Sequence, residues 1–164
     1  VQAEALVPLF KMLREQHIHI CVDSNGAIWN KHVEELWGLT DLVMLDIKEF
    51  NAERHQHITG RSNEQPLRTA RWFEDNNHLF WLRYVLVPGV SDFEEDLHAL
   101  GQHFKDYVWL EKVQLLPYHT LGVHKYEALG WDYQLKDVSE NTPEQKKRAE
   151  EILRSYFGQK LEVH

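Results

Sequence analysis

Four apolar runs of strand character recur along this chain at intervals of a few dozen residues. They are IHICVDSNG (18–26), LVMLDIK (42–48), LFWLRYVLVPG (79–89) and VQLLPYH (113–119). Helix-like segments flank them: EALVPLFKMLREQ (4–16), KHVEELWG (31–38), QPLRTARWFEDNN (65–77) and SDFEEDLHALGQHF (91–104). In the first of these, Leu6, Leu9, Phe10 and Leu13 fall at helical spacing. Strands alternating with helices predict βα units and a parallel sheet. The runs are almost continuously apolar, which is the pattern of strands covered on both faces. Ser91 with Glu94 three residues on predicts a capping box. Thr142 and Pro143 open a last helix that ends at Gly158, and KLEVH reads as one more strand. The stretch 120–141 has no clear period, and a loop of that length inside a compact domain is often functional.

Composition narrows the function classes. The chain has 164 residues and a formal net charge of −8, which argues against non-specific binding to nucleic acid or to an anionic membrane. No run approaches the ~18 apolar residues of a membrane span. The opening VQAEALVPLF lacks the basic and apolar regions of a signal peptide and reads as the middle of something longer. One cysteine, Cys21, allows no internal disulfide and suits a reducing, cytoplasmic setting.

Each apolar run delivers polar groups near its carboxyl end: Asp23, Ser24, Asn25 and Gly26 from the first, Asp46 and Lys48 from the second, Arg83 from the third, His119 from the fourth. Ligands of parallel α/β folds bind at that end of the strands. Alternation puts Met44, Asp46 and Lys48 on one face. Taken singly, each is as readily a turn residue or a structural ion pair; their joint placement at successive strand ends favours a site. His17 with His19, and His55 with His57, have i,i+2 spacing but no third ligand within reach, and read as solvated histidines. Cys21 reads as a buried, inert thiol.

CVDSNG, TDLVMLDIKEFNAERHQHITGRSN, LRYVLVPGVSD and LLPYHTLGVHKYEALG, in this order and spacing, resemble the pyruvate formate-lyase activating enzymes of the radical S-adenosylmethionine superfamily. The resemblance implies a partial (β/α)6 TIM-like barrel of parallel strands with outer helices, a single domain over 1–164. Its first βα unit, its second strand and the CxxxCxxC ligands of a [4Fe-4S] cluster would lie outside this chain. It implies a monovalent cation at Asp23, Ser24, Met44 and Asp46, and an S-adenosylmethionine site at Asp46, Ile47, Lys48, Glu49, Phe50, Arg83 and His119. The implied activity is reductive cleavage of S-adenosylmethionine at the cluster, with transfer of a hydrogen from a glycine of pyruvate formate-lyase to the adenosyl fragment. An electron donor such as flavodoxin is implied as a second partner. The stretch 120–141 is expected to help receive the glycyl loop. The intact enzyme is expected to be a monomer, and this chain alone to be inactive and to pair through its exposed first strand.

Three other readings remain at this point. The chain could serve another glycyl radical enzyme. It could be a non-catalytic α/β domain that binds a partner or nucleotide. It could be a barrel lyase with Lys48 as Schiff base, though no apolar pocket that would lower the lysine pKa is evident.

Overall fold

The computed structural model describes residues 2–164. In chain order these form α1 (Ala3–Glu15), β1 (Cys21–Ser24), α2 (Lys31–Leu39), β2 (Leu42–Asp46), α3 (Ala52–Thr59), α4 (Glu64–Asp75), β3 (Phe80–Leu86), α5 (Glu94–Phe104), β4 (Leu110–Pro117), α6 (Val123–Ala128), α7 (Pro143–Phe157) and β5 (Leu161–Val163). The five strands make one parallel sheet in the order β1-β2-β3-β4-β5. Crossovers between parallel strands are almost always right-handed. A sheet wound steadily in one direction therefore carries its connecting helices on one face, the arrangement of a barrel segment.

That covered face holds the core. Val43, Leu45 and Ile47 along β2, and Phe80, Leu82, Tyr84 and Leu86 along β3, are sealed against Leu36 and Trp37 of α2, Phe73 of α4, Leu97, Leu100 and Phe104 of α5, and Leu153 of α7. The alternate residues, Met44 and Asp46 on β2 with Trp81 and Arg83 on β3, stand on the opposite face and are only half-buried. The sheet is thus two-faced, not covered on both faces as the apolar runs suggested. The alternating polar residues are few, and two of them lie at strand ends, so the period of two is easily missed.

Local chemistry explains several boundaries. α7 starts at a full capping box: Thr142 Oγ1 accepts from the Gln145 amide (3.2 Å), and Gln145 Oε1 accepts from the Thr142 amide (2.8 Å). The expected box at Ser91 does not form. Ser91 is buried, its hydroxyl donating to the Val85 carbonyl (2.7 Å) and accepting from the Val87 amide (3.0 Å), so it ties the turn after β3 together while α5 starts beyond Phe93. The short helix α6 lies within the stretch 120–141, where the sequence shows no clear period. Asn51 caps α3 through the Glu53 and Arg54 amides.

Gly26 closes β1 in the left-handed region, with φ +63°. A Cβ there would come within 2.9 Å of Leu45 Cδ1 and 3.1 Å of Thr69 Cβ, while Thr69 Oγ1 donates to the Gly26 carbonyl (2.9 Å). The end of β1 is thereby clamped against α4.

Candidate active-site rim

The carboxyl ends of β1, β2 and β3 bring together four charged side chains. Strand register sets Asp23 beside Met44 and Asp46 beside Arg83. Neighbouring residues in register share a face of the sheet. Arg83 Nε donates to Asp46 Oδ1 (2.7 Å), and its Nη2 reaches Asp23. Lys48 Nζ donates to the other carboxylate oxygen, Asp46 Oδ2, at 2.6 Å. Arg83 and Asp46 keep 17% and 16% of their side-chain exposure, against 56% for Asp23. Carboxylate and ammonium at the end of an apolar strand are therefore tolerated as parts of one paired cluster. Partial burial works against the charge on Arg83, but its bonds to Asp23 and Asp46 outweigh this and raise its pKa.

The expected site residues divide by the side chains' directions. Asp23, Met44, Asp46, Lys48 and Arg83 share the open face. Ser24 alternates away from Asp23, and its hydroxyl accepts from the Gly26 amide (3.0 Å). Among the described residues no group of three or more His, Cys, Asp or Glu side chains could hold a metal ion. Ile47, Glu49 and Phe50 need a correction of orientation. Ile47 is sealed in the core, and the Phe50 ring packs 5.4 Å from that of His103. Glu49 has no exposure at all; its carboxylate accepts from the Phe50 amide (2.6 Å), the Asn51 amide (2.9 Å) and the Tyr84 hydroxyl (3.1 Å). Only the backbone of Ile47 and Glu49 could serve a ligand on the open face, while Phe50 is half-buried. Burial pushes the Glu49 carboxyl pKa up, against the pull of the Asn51 amide. Burial, with Glu49 beside it, likewise raises that of Tyr84. His119 is exposed just past β4, and among the described residues no hydrogen bond joins it to Asp46, Lys48 or Arg83.

Other expectations also change. Cys21 is exposed, because β1 is the edge of the sheet and its outer face carries no layer; partial burial and the nearby Asp23 still raise the thiol pKa. His17, His19 and His57 are solvent-exposed as expected, but His55 is buried, its Nδ1 donating to the Arg61 carbonyl (2.8 Å). Sequence reading passed over Arg61 and Arg68, which line a cavity of about 560 Å³ whose wall also includes Asn25, Asp46, Lys48 and Glu64. The turn Gly60-Arg61-Ser62-Asn63, bounded by a glycine and an asparagine, was the available signal.

The residues present fit one of the two implied groups. An ammonium, a guanidinium and two carboxylates suit the carboxylate, amino group and hydroxyls of S-adenosylmethionine. They do not fit the cluster, since a lone cysteine on an edge strand cannot supply thiolate ligands for [4Fe-4S].

The singly wound parallel sheet is a fold that this chain shares with solved structures. The crystal structure of a domain of pyruvate-formate lyase-activating enzyme from Bacteroides vulgatus superposes with a TM-score of 0.80 at 22% identity, covering 99% of this chain and 91% of that one. A radical SAM methyltransferase from Sphaerobacter thermophilus gives 0.71 at 16% identity, covering 98% and 46%. The chain itself is a homologue of pyruvate formate-lyase activating enzymes: it is 40% identical over 158 residues to pyruvate formate-lyase 1-activating enzyme of Escherichia coli K12. That match covers 95% of this chain and 64% of the relative, so the chain spans less than two thirds of the relative's length. No family model matches the chain.

Proposed function

We propose that the protein containing this chain activates pyruvate formate-lyase by forming a glycyl radical, and that this chain supplies the rim that positions S-adenosylmethionine. The observation that carries the reading is the Asp46–Lys48–Arg83 cluster at the ends of β2 and β3, in a chain 40% identical to activating enzymes over 158 residues. On one-electron reduction S-adenosylmethionine supplies the hydrogen abstraction that such chemistry needs. Lys48 offers an ammonium to the cofactor's carboxylate. Asp46 accepts from its hydroxyls or amino group while Arg83 fixes the Asp46 carboxylate from the side. His119 adds a donor and acceptor at the same end of the sheet. A monovalent cation at Asp23, Ser24, Met44 and Asp46 would take over the Asp23 contact that Arg83 makes here, with Ser24 turning from Gly26. The segment 120–141, with Leu121, Leu129 and Trp131 exposed, is suited to receiving the glycyl loop, and flavodoxin is the expected type of electron donor. A cytoplasmic location fits the single unpaired thiol; among the described residues no helix is long and apolar enough to cross a membrane.

The test is glycyl radical yield on pyruvate formate-lyase, read by electron paramagnetic resonance at limiting cofactor, with the gene product that contains this chain. Lys48→Ala should lower productive cofactor binding about ten- to hundredfold, the worth of one charge-assisted hydrogen bond of ~1.5–3 kcal/mol. Absence of any radical on pyruvate formate-lyase would refute the reading, and radical formed on a different glycyl radical enzyme would redirect it.

A further inference from the structure

Of the polar side chains expected at the rim, His119 alone makes no hydrogen bond or ion pair among the described residues; Asp23, Ser24, Asp46, Lys48, Glu49 and Arg83 all do. Its ring is exposed just past the end of β4. Where that ring stands is therefore set by the backbone on either side of it, at Tyr118 and Thr120.

Both neighbours are held from one place, the two residues that precede the N-cap of α7. The amide of buried Tyr118 donates to the Leu86 carbonyl at 3.0 Å and to Asn141 Oδ1 at 2.8 Å. The Thr120 amide and hydroxyl both donate to Glu140 Oε1, at 3.0 Å and 3.2 Å. These two donors, the amide first, hold the Glu140 carboxyl below the usual carboxylate range against some desolvation, and the charges of His119 and Lys146 add to the pull. Asn141 stands on a rigid footing. It adjoins the capping box of α7, a helix that buries Ala149, Ile152, Leu153 and Phe157 in the core. Asn141 is itself buried, and its Nδ2 has no hydrogen-bond partner, so the side chain serves here through its oxygen alone. The turn is thus braced before and after His119, and the brace also joins the two ends of the stretch 120–141.

We propose that Asn141 and Glu140 are positioning residues for His119: they fix the turn after β4 so that the imidazole meets S-adenosylmethionine. The inference rests on the function proposed above, in which His119 contacts the cofactor. A contact side chain with no bond of its own gains its geometry from the shell that supports it, and a support anchored on a packed helix is more precise than a free loop.

The test is S-adenosylmethionine binding by isothermal titration of the full gene product, run as a cycle of His119→Ala, Asn141→Ala and the double variant. His119→Ala should weaken binding about tenfold, the worth of one hydrogen bond to a charged group. Asn141→Ala should weaken it about three- to tenfold alone, and should add no further loss once His119 is gone, the mark of a residue that acts through another. Asn141→Asp keeps an accepting oxygen and should restore most of the binding. Glu140→Ala, at an exposed position where folding is not at stake, should repeat the pattern at about two- to threefold, and it carries the cycle if Asn141→Ala does not fold. The same loss from Asn141→Ala with and without His119 overturns the proposal, since that marks a structural tie only. So does an Asn141→Asp protein that binds no better than Asn141→Ala, or full binding by both alanine variants. If His119→Ala binds as tightly as the unsubstituted protein the proposal falls, while radical formed on pyruvate formate-lyase by the unsubstituted preparation leaves the proposed function standing. Coupling in the cycle without any radical keeps the positioning role and loses that function.

Discussion

The two faces of β2 and β3 are built from alternate residues of the same strands, and they handle charge in opposite ways. Just past β2 on the covered side, Glu49 is fully buried, accepts hydrogen bonds only from neutral donors, two amides and the Tyr84 hydroxyl, and lies near the like charge of Asp96. On the open face Asp46 is held between a lysine and an arginine. A carboxyl surrounded by neutral donors in a dry core is pushed toward its protonated form, whereas one between cations stays charged and available. Alternation of period two thus lets a single strand anchor the fold with one set of residues and present chemistry with the other.

The sharpest way to break this comparison is to truncate one residue on each face. Leu82→Ala, in the sealed layer, should cost about 2–5 kcal/mol, while Met44→Ala on the half-buried face should cost less than half as much. Equal losses in urea unfolding would mean that the open face is as much core as the other. Next in size is Arg83→Gln, which strips the counter-ion from Asp46 and should cost about 1–3 kcal/mol. Asp23→Asn, at a mostly exposed partner of the same arginine, should cost about 0–1 kcal/mol in the same assay.

A pH series sharpens the contrast further. The Glu49 carboxyl is raised in the folded state, so its contribution is fully present below the unfolded value near 4.5 and is lost as pH rises through the folded value. Glu49→Gln should therefore gain on the unsubstituted protein between about pH 4.5 and neutrality, measured as the difference in unfolding midpoint. A difference that shrinks with rising pH would contradict the assignment. An effect as small as that of Asp23→Asn is expected for Lys48→Ala, under about 1 kcal/mol in stability, because its side chain is more than a third exposed. A large loss there would make Lys48 a structural residue and not a ligand-binding one.

How far the sequence carried these conclusions depends on the range of the interactions. The βα alternation, the cap at Thr142 and the gathering of Asp23, Asp46, Lys48 and Arg83 follow from local pattern plus the rule that parallel strands present their carboxyl ends together. Ser91, Cys21 and His55 were misread because their environments are set by neighbours distant in sequence or by the order of strands. Ser91 is held by the turn it closes, Cys21 by lying on an edge, and His55 by the carbonyl of Arg61. Ile47, Glu49 and Phe50 were grouped with Asp46 and Lys48 by the resemblance, and side-chain alternation separates the first two from the rim. The hydrogen bond from the Tyr118 amide to Asn141 has no sequence signature, since it spans the unpatterned stretch 120–141.

The packing at Gly26 bears on how this site can change over evolutionary time. With its left-handed backbone and two side chains already within 3.1 Å of where a methyl would sit, position 26 cannot accept even alanine while Leu45 and Thr69 stay as they are. Removing Thr69 also removes the donor that holds the Gly26 carbonyl, so neither first step toward a different trio is neutral. The three positions form an epistatic lock. Lineages are expected to diverge more freely at exposed Ile28 beside it, while positions 26, 45 and 69 stay frozen or shift together.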